Sequence, residues 1–486
     1  MYIGLDLGTS GLKAILCDEA GAVLDAAENH YENPHPKSGW SEQDPADWIA
    51  ACETAFDAFA ARHPAAFAAV KGIGLSGQMH GATLVDSKDH VLRPCMLWND
   101  TRAAEQAAWL DAQPQMRDIT GNIVFPGFTA PKVMWLEKNE PELFAQIAKV
   151  LLPKDYLRLW LTGEHVGEMS DAAGTSWLDV GKRDWSDAAL ATSNMRRDQM
   201  PRLCEGNEPS GEMRKALRDR WGITGPVVIA GGAGDNAAAA CGAGCFEEGQ
   251  GFVSLGTSGV LLAAKDTFAP DPATAVHTFC HAVPQTWYQM GVILAATDCM
   301  NWLSRSLGQS PAELAGLLPD NARGPSDLMF LPYLSGERTP HNDARVRGAF
   351  IGLDVSHGPA DLTQAVIEGV CFALRDCLAA LEGTGTRFSS VLAMGGGARS
   401  AFWRDTLATV LDVPLSIPAG GEFGAAQGAA RLGMAAAGAG ALQEIMTQPK
   451  IGSVQEPNPA LAAQYQARWM TWRKMYPAIT DALGSR

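Results

Sequence analysis

The sequence contains little that would bring the protein to a nucleic acid or a membrane. Its 486 residues include 38 lysines and arginines against 54 aspartates and glutamates, a net charge of -16, with no extended basic run. This charge repels nucleic acid and anionic lipid, and no uninterrupted apolar stretch reaches membrane length. The first residues carry Asp6 and lack the basic region of a signal peptide. We therefore expect a cytoplasmic protein without nucleic-acid or membrane partners.

Several common chemical motifs are also missing. The ten cysteines are scattered through apolar segments without a C-x-x-C pair, so we expect reduced core residues rather than disulfides or zinc ligands. Neither the P-loop pattern G-x-x-x-x-G-K-[ST] nor the hydrolase pattern G-x-S-x-G occurs. The segment GIGLSG at 72–77 matches a dinucleotide fingerprint, but an alternating apolar segment with a polar turn follows it rather than a helix. A hairpin is predicted there instead.

Length and patterning predict an α/β protein with two domains. A chain of 486 residues is too long for one hydrophobic core, and we place the domains at 1–245 and 246–486, with the boundary in the FEEGQG segment. Apolar and β-branched runs predict strands and amphipathic runs predict helices. The predicted strands lie within 70–77, 90–98, 225–232, 389–397 and 413–418, and the predicted helices at 44–63 and 400–411.

A short repeat links the two halves. Residues 4–16 read GLDLGTSGLKAIL, and residues 251–263 read GFVSLGTSGVLLA. Each copy predicts two strands joined by a Gly-Thr-Ser turn, whose tip presents backbone N–H groups and hydroxyls. The copies differ in that Asp6 of the first is replaced by Ser254 of the second. This difference suggests two similar turns that hold different parts of one ligand.

One carboxylate, Asp235, stands in a segment of small residues. The stretch 226–244 reads PVVIAGGAGDNAAAACGAG, so Asp235 falls where a strand ends and a helix starts. Asp at this place is often a helix N-cap. It also lies at the edge of the sheet where a ligand crevice forms in α/β proteins. The segment alone leaves both interpretations open.

A glycine-rich turn follows a later strand. The stretch VLAMGGGARS at 391–400 predicts a buried strand, the turn Gly395, Gly396 and Gly397, and a helix that Ser400 caps. A tight strand-to-helix turn rarely needs three glycines. Glycines allow backbone to approach a ring or a phosphate closely, and we therefore favour ligand contact at this turn.

The segment GQMHG at 77–81 places three further side chains at a strand end. Gln78 and His80 can each donate and accept hydrogen bonds, with Met79 between them. A single histidine is more often structural than a ligand, and no second histidine stands at metal-ligand spacing. The combination of groups suits recognition of hydroxyls better than metal binding.

With these features assembled, the sequence resembles the FGGY family of sugar kinases, within the actin-like ATPase fold. The resemblance covers nearly the whole chain, and its motifs are DLGTSG at 6–11, GDN at 234–236, LGTSG at 255–259, GGGARS at 395–400 and the longer stretches 127–139 and 348–368. It implies two ribonuclease-H-like domains that flank a nucleotide- and sugar-binding cleft. The segments at 77–81, 97–102, 152–164 and 335–341 are similar to bacterial members that phosphorylate D-xylulose, whereas glycerol kinases differ at the GQMHG position.

The resemblance also implies roles for individual residues. Asp235 would be the general base that takes the proton from the C5 hydroxyl of D-xylulose, and Asp6 the acidic residue associated with Mg²⁺ and the phosphates of ATP. The other residues that the family pattern marks are Thr9, Ser10, Gly256 and Thr257 for the phosphates, Gly395, Gly396 and Gly397 for the adenosine, and Gln78, Met79, His80, Trp98, Asn99 and Asn236 for the sugar.

Two alternatives remain at this point. One is a related kinase for another ketose or a polyol, because hydroxyl stereochemistry cannot be deduced from sequence patterns. The other is an actin-like or chaperone-like ATPase, which would share the hairpins and the glycine turn but has no use for GQMHG. The family also makes a homodimer plausible.

Overall fold

The first part of the computed structural model, which describes residues 1–420 and 424–483, is a succession of short strands and helices. Its strands are β1 Tyr2–Leu7, β2 Gly11–Cys17, β3 Val23–His30, β4 Glu42–Gln43, β5 Gly72–Gly77, β6 Thr83–Val85, β7 Cys95–Met96, β8 Lys149–Leu151, β9 Val166–Glu168, β10 Leu178–Asp179, β11 Asp184–Trp185, β12 Arg202–Cys204, β13 Pro209–Glu212, β14 Val228–Ala230 and β15 Ala233–Gly234. Its helices are α1 Pro45–Arg62, α2 Pro64–Ala68, α3 Ala104–Asp111, α4 Met116–Thr120, α5 Thr129–Asn139, α6 Pro141–Phe144, α7 Pro153–Thr162, α8 Met169–Ala172, α9 Asp187–Thr192, α10 Lys215–Arg220 and α11 Asp235–Ala243.

The second part of the chain has the same alternation. Its strands are β16 Gly251–Leu255, β17 Gly259–Lys265, β18 His277–Cys280, β19 Trp287–Ile293, β20 Met329–Leu331, β21 Ala349–Ile351, β22 Val391–Met394, β23 Leu415–Pro418 and β24 Ile451–Gln455. Its helices are α12 Thr297–Leu307, α13 Pro311–Ala315, α14 Pro359–Gly383, α15 Ala401–Leu411, α16 Ala425–Ala436, α17 Leu442–Ile445, α18 Pro459–Trp472 and α19 Met475–Leu483. Short 3₁₀ helices lie at Ala173–Thr175, Arg197–Gln199, Pro272–Thr274 and Gly396–Arg399.

The two large sheets share one topology. In the first, the order β3-β2-β1-β5-β14 joins an antiparallel meander to two strands parallel to β1. In the second, the order β19-β17-β16-β22-β23 repeats that arrangement strand for strand. Both LGTSG segments form the predicted hairpins, β1 with β2 and β16 with β17. The expected pair of ribonuclease-H-like domains is therefore confirmed.

Local sequence explains the elements that flank these sheets. Helix α1 begins with Asp44, which accepts a hydrogen bond from the Ala46 N–H, followed by a proline at the first helical position. One face of α1 buries Trp48, Phe56 and Phe59 against the first sheet. In the second half, Ser400 caps α15 as predicted by accepting from the Trp403 N–H.

Helix α16 crosses from the second half of the chain onto the first sheet. Its backbone packs against β1 and β5 on one side and α11 on the other, with no side chain between the surfaces at several points. A Cβ on Gly74 of β5 would overlap the carbonyl of Ala429, lying 2.6 Å from its carbon and 2.9 Å from the amide nitrogen of Gly433. On the other side, a Cβ on Gly428 would lie 2.7 Å from the carbonyl carbon of Ala238 in α11. The first sheet is therefore covered by a helix that lies, in the chain, between β23 and β24 of the second sheet.

The predicted secondary structure needs one correction. The strand expected over 90–98 is limited to Cys95–Met96, which pairs with β4. The residues before it return beside β6, since the Leu92 N–H donates to the carbonyl of Leu84 around the turn at 86–89. This is the hairpin predicted to follow GIGLSG, and Pro94 interrupts the longer strand because it cannot donate a ladder hydrogen bond. Among the described residues, no helix has both the length and the apolar character needed to cross a membrane.

Candidate active site

In each of the two sheets, residues singled out from the sequence lie at the carboxyl ends of neighbouring parallel strands. In the first sheet, Asp6 lies near the end of β1, Gln78 follows β5 and Asp235 follows β15, and these strands run parallel. In the second sheet, Gly256 follows β16 and Gly395 follows β22, again in parallel. Carboxyl ends of parallel strands form the edge where ligands bind in α/β folds.

Asp235 is the first residue of α11 and not its N-cap, which is Gly234. The capping interpretation is therefore wrong in its usual form. The Asp235 Oδ1 atom accepts hydrogen bonds from the backbone N–H of Asn236 at 2.7 Å and from its side-chain amide at 2.9 Å. Burial, helped by the negative charge of Asp6, raises the pKa of Asp235 to about 6. A carboxylate with this pKa is mostly ionised at neutral pH and is a stronger proton acceptor than an ordinary aspartate.

Asp6 lies close enough to Asp235 for their charges to interact. The Ser76 hydroxyl donates to Asp6 Oδ1 at 2.9 Å, and burial raises the pKa of the Asp6 carboxyl. The described residues contain no group of three or more His, Cys, Asp or Glu that could hold a metal ion. A single carboxylate next to a phosphate-sized turn fits Mg²⁺ nonetheless, because this ion usually keeps several waters and takes its other ligands from the phosphates.

A hydrogen-bond network fixes the tip of the first hairpin. The Thr9 hydroxyl donates to Gln78 Oε1 at 3.2 Å and accepts from Trp98 Nε1 at 2.9 Å. The Gln78 amide in turn donates to Gln43 Oε1 at 3.0 Å. Ser10 stays exposed at the tip. The side chain of Thr9 is thus held in place by protein groups.

A cavity of about 570 Å³ brings the predicted base together with most of the predicted sugar-binding residues. Both halves of the chain contribute to its wall. Six of the lining residues were predicted from the sequence: Met79, His80, Trp98, Asn99, Asp235 and Asn236. The buried Asn99 Oδ1 atom has no hydrogen-bond partner in the protein. Because an unsatisfied buried acceptor is costly, a hydroxyl of a bound ligand would be a favourable partner for it.

His80 is held rigidly in the wall of this cavity. Its φ of 70° is in the left-handed region that few side chains adopt. Its ring stacks on Phe128 with centroids 4.4 Å apart, and Nδ1 lies 2.7 Å from the carbonyl oxygen of Gly174. Burial lowers the pKa of His80 to about 3. The ring is therefore neutral, Nδ1 carries the proton that it donates to Gly174, and Nε2 is left as an acceptor.

The second hairpin tip is held by the start of α12. The Thr297 N–H and hydroxyl both donate to the Gly256 carbonyl, at 2.9 and 2.8 Å, and the Ala296 N–H donates to the Thr257 carbonyl at 2.8 Å. In these hydrogen bonds the carbonyl groups of the turn are the acceptors. The side chain of Thr257 and that of Ser258 are exposed, and Ser258 also lines the cavity.

Packing explains two of the three glycines at the turn after β22. A Cβ on Gly395, which has a φ of +87°, would lie 2.6 Å from the carbonyl oxygen of Leu255, and one on Gly397 would lie 2.9 Å from the Leu255 side chain. Gly396 has no atom within 4 Å of its missing Cβ and is exposed. Gly395 and Gly396 are exposed and Gly397 is buried, and contact with an adenosine stays a prediction for all three.

The structure does not bring every predicted residue to the cavity. Gln78 is buried behind the first hairpin, where its side-chain oxygen accepts a hydrogen bond from Thr9, and it is not among the residues that line the cavity, so its contact with the sugar stays a prediction. The residues of the cavity wall that the sequence analysis did not single out include Phe125, Phe128, His277 and Arg338. Phe128 and Arg338 lie inside the segments 127–139 and 335–341 that carry the family resemblance, so a signal existed for them. His277 had no such signal.

Two family models match the chain, and together they cover most of it. The model of the FGGY family of carbohydrate kinases, N-terminal domain, matches residues 1–242, and the model of its C-terminal domain matches residues 251–437. The chain belongs to the FGGY family of carbohydrate kinases, and use of ATP follows from membership.

Individual proteins that are similar to this chain include kinases for particular sugars and sugar acids. The chain is 48% identical over 484 residues to the xylulose kinase of Escherichia coli, covering 99% of both chains. It is 55% identical to a Brucella ovis protein described as a "xyloylose kinase", whose crystal structure superposes with a TM-score of 0.98 over 99% of this chain and 100% of the other. A gluconate kinase from Lactobacillus acidophilus is 27% identical, with a TM-score of 0.91 over 98% and 97% of the two chains.

Proposed function

We propose that this protein is a xylulose kinase, which transfers the γ-phosphoryl group of ATP to the C5 hydroxyl of D-xylulose. The observation that carries the proposal is the placement of Asp235, with its raised pKa, in a cavity shared with His80 and Asn99. A volume of about 570 Å³ is within the range of small-molecule sites. The identity to xylulose kinases supports the choice of sugar.

In this proposal, Asp235 accepts the proton of the attacking hydroxyl as the oxygen bonds to phosphorus and the bond to ADP breaks. Phosphoryl transfer requires mainly positioning and charge stabilisation from a protein. The hydrogen bonds from Asn236 hold the carboxylate in one orientation. Neutral His80 and the unsatisfied Asn99 oxygen bind hydroxyls of the sugar, while Met79 supplies an apolar contact.

The two hairpin tips would hold the phosphates, and Asp6 would hold Mg²⁺ through water. Bound Mg²⁺ would neutralise the phosphate charge that builds up during transfer. Thr9 and Ser10 at the first tip, and Gly256 and Thr257 at the second, approach the phosphates through their backbone N–H groups. We further propose that the segments 1–245 and 246–486 act as two domains that close on the substrates and exclude water.

A panel of substrates tests this proposal. Purified protein with MgATP is given D-xylulose, L-ribulose, D-fructose, glycerol, xylitol and D-gluconate, and ADP release is measured for each. D-Xylulose should give the highest kcat/KM. A higher kcat/KM for glycerol, L-ribulose or gluconate would contradict the assignment of D-xylulose as the substrate, although the protein would still be a kinase. ATP turnover that no sugar stimulates would instead support an ATPase of the actin or chaperone type.

Replacement of Asp6 by asparagine separates its role from that of the sugar site. Asn can still accept the hydrogen bond of Ser76, so the local structure should be kept. We expect kcat to fall by about 10- to 100-fold, as for other outer-shell metal partners, with a higher Mg²⁺ concentration needed for half-maximal rate and an unchanged KM for D-xylulose. The acidic limb of the pH–rate profile should also move to lower pH, because the Asp6 charge helps to raise the pKa of Asp235. If KM for the sugar rises as much as kcat falls, Asp6 has a structural role instead.

A further inference from the structure

Arg338 is a cationic side chain in the cavity wall that no function assigned so far uses. It lies in the loop between β20 and β21, and it lines the same cavity as Asp235 and His80. Its guanidinium lies 3.8 Å from the centroid of the Phe125 ring, and Nη1 is 3.3 Å from His277 Nε2. These are contacts with an aromatic face and a neutral ring, and neither neutralises the charge.

No carboxylate within the parts of the chain that the structure describes forms an ion pair with Arg338. The nearest acidic neighbour in sequence, Glu337, is turned towards the backbone, where its Oε1 atom accepts from the N–H groups of Leu294 and Arg338 at 2.9 and 2.7 Å. Burial raises the pKa of Glu337 to about 8, so this carboxyl is mostly protonated at neutral pH. A largely enclosed guanidinium without a counter-charge requires oxygen acceptors from a ligand.

Arg338 and Asp235 belong to different parts of the cavity wall, since Arg338 contacts Phe125 and His277 whereas Asp235 contacts Asn236. The Arg338 charge acts on His80 and His277, whose pKa values it helps to lower. The neighbouring charge that acts on Asp235 is that of Asp6. Phe279 stacks on His277 with centroids 5.4 Å apart and packs beside Tyr288, whose hydroxyl lies 3.8 Å from the Met79 sulfur. A five-carbon chain bound in this cavity with one end at Asp235 is open to contact from Arg338 along the rest of its length.

We propose that Arg338 binds the C1 hydroxyl and C2 carbonyl oxygens of the ketose, and thereby fixes which end of the sugar faces Asp235. This inference rests on the proposed transfer to the C5 hydroxyl. A guanidinium has several N–H donors in one plane, so it can span two neighbouring oxygens, which a single ammonium group does less well. The phenyl ring of Phe125 packs against the guanidinium and helps to hold it in place.

The test combines removal of the Arg338 guanidinium with removal of one of the sugar oxygens that it is proposed to bind. Arg338→Met and Arg338→Lys are compared with the unaltered enzyme on D-xylulose and on 1-deoxy-D-xylulose, which lacks the C1 oxygen. Arg305→Met, at an exposed position of α12, is the matched control for loss of a charge. Melting temperatures of all variants are measured, because a misfolded variant would lose activity towards both sugars.

We expect Arg338→Met to lower kcat/KM for D-xylulose by about 10- to 100-fold, the usual range for a hydrogen bond with one charged partner. The loss should be at least several-fold smaller for 1-deoxy-D-xylulose, and Arg338→Lys should recover part of it. KM for ATP should change less than twofold. An equal loss for both sugars, or a rise in KM for ATP, would overturn the inference. If the unaltered enzyme fails to phosphorylate D-xylulose, the proposed function fails first, and that result is distinct from a variant without effect.

Discussion

Asp235→Asn should lose about 10²- to 10⁴-fold in kcat towards D-xylulose, the range that general-base catalysis typically contributes. Asparagine has nearly the same shape as aspartate, and its Oδ1 atom can still accept the 2.7 Å hydrogen bond from the Asn236 N–H. It cannot accept the proton of the attacking hydroxyl. Steady-state ADP release and the thermal shifts produced by ATP and by D-xylulose are the measurements, and both shifts should survive the substitution.

The pH dependence of kcat tests the role of Asp235 as the base independently. Because the base must be ionised, and burial with the Asp6 charge raises its pKa to about 6, kcat of the unaltered enzyme should fall as the pH drops through about 6 and level off above 7. The small residual rate of Asp235→Asn should lack this acidic limb. A variant with near-normal turnover and the same limb would show that another group accepts the proton.

Gly74→Ala should be the most damaging single change to stability among those that leave the cavity untouched. Its new methyl group would meet the backbone of Ala429 and Gly433, and backbone atoms cannot move aside as a side chain can. Overpacking of this kind costs about 3 kcal/mol or more. For a domain of this size, that loss lowers the melting temperature by about 6–12 °C.

The matched control is Gly383→Ala, near the end of α14, where a Cβ meets no atom within 4 Å and the residue is exposed. Alanine is the better helix former there, so stability should stay equal or rise slightly. Differential scanning calorimetry of both variants makes the comparison. An unchanged melting temperature for Gly74→Ala would mean that α16 does not press on the sheet as closely as described.

Local features of the sequence predicted the hairpins and the position of Asp235 at a strand end, because each depends on residues that are neighbours in the chain. The LGTSG hairpins, the strand at 72–77 and the Ser400 cap follow from short patterns that have one favourable structure. Asp235 could be placed at a strand end for the same reason.

Long-range contacts account for what was missed. Gln78 lies outside the cavity wall and donates to Gln43, which is distant in sequence, and its contact with the sugar stays a prediction. His277 enters the wall only because β18 of the second sheet packs against Phe125 and Phe128 of the first half. The packing of Gly395 and Gly397 against Leu255 on the adjacent strand was not predicted, and their contact with an adenosine stays a prediction.

The position of α16 sets an order of events during synthesis on the ribosome. Residues 2–7 and 72–77 form the centre of the first sheet, yet the helix that covers them ends only at residue 436. Until that point has left the exit tunnel, the apolar face of the sheet around Gly74 has no partner, and exposed surfaces of this kind favour aggregation. One face of the first sheet therefore stays uncovered until about nine-tenths of the chain has been synthesised.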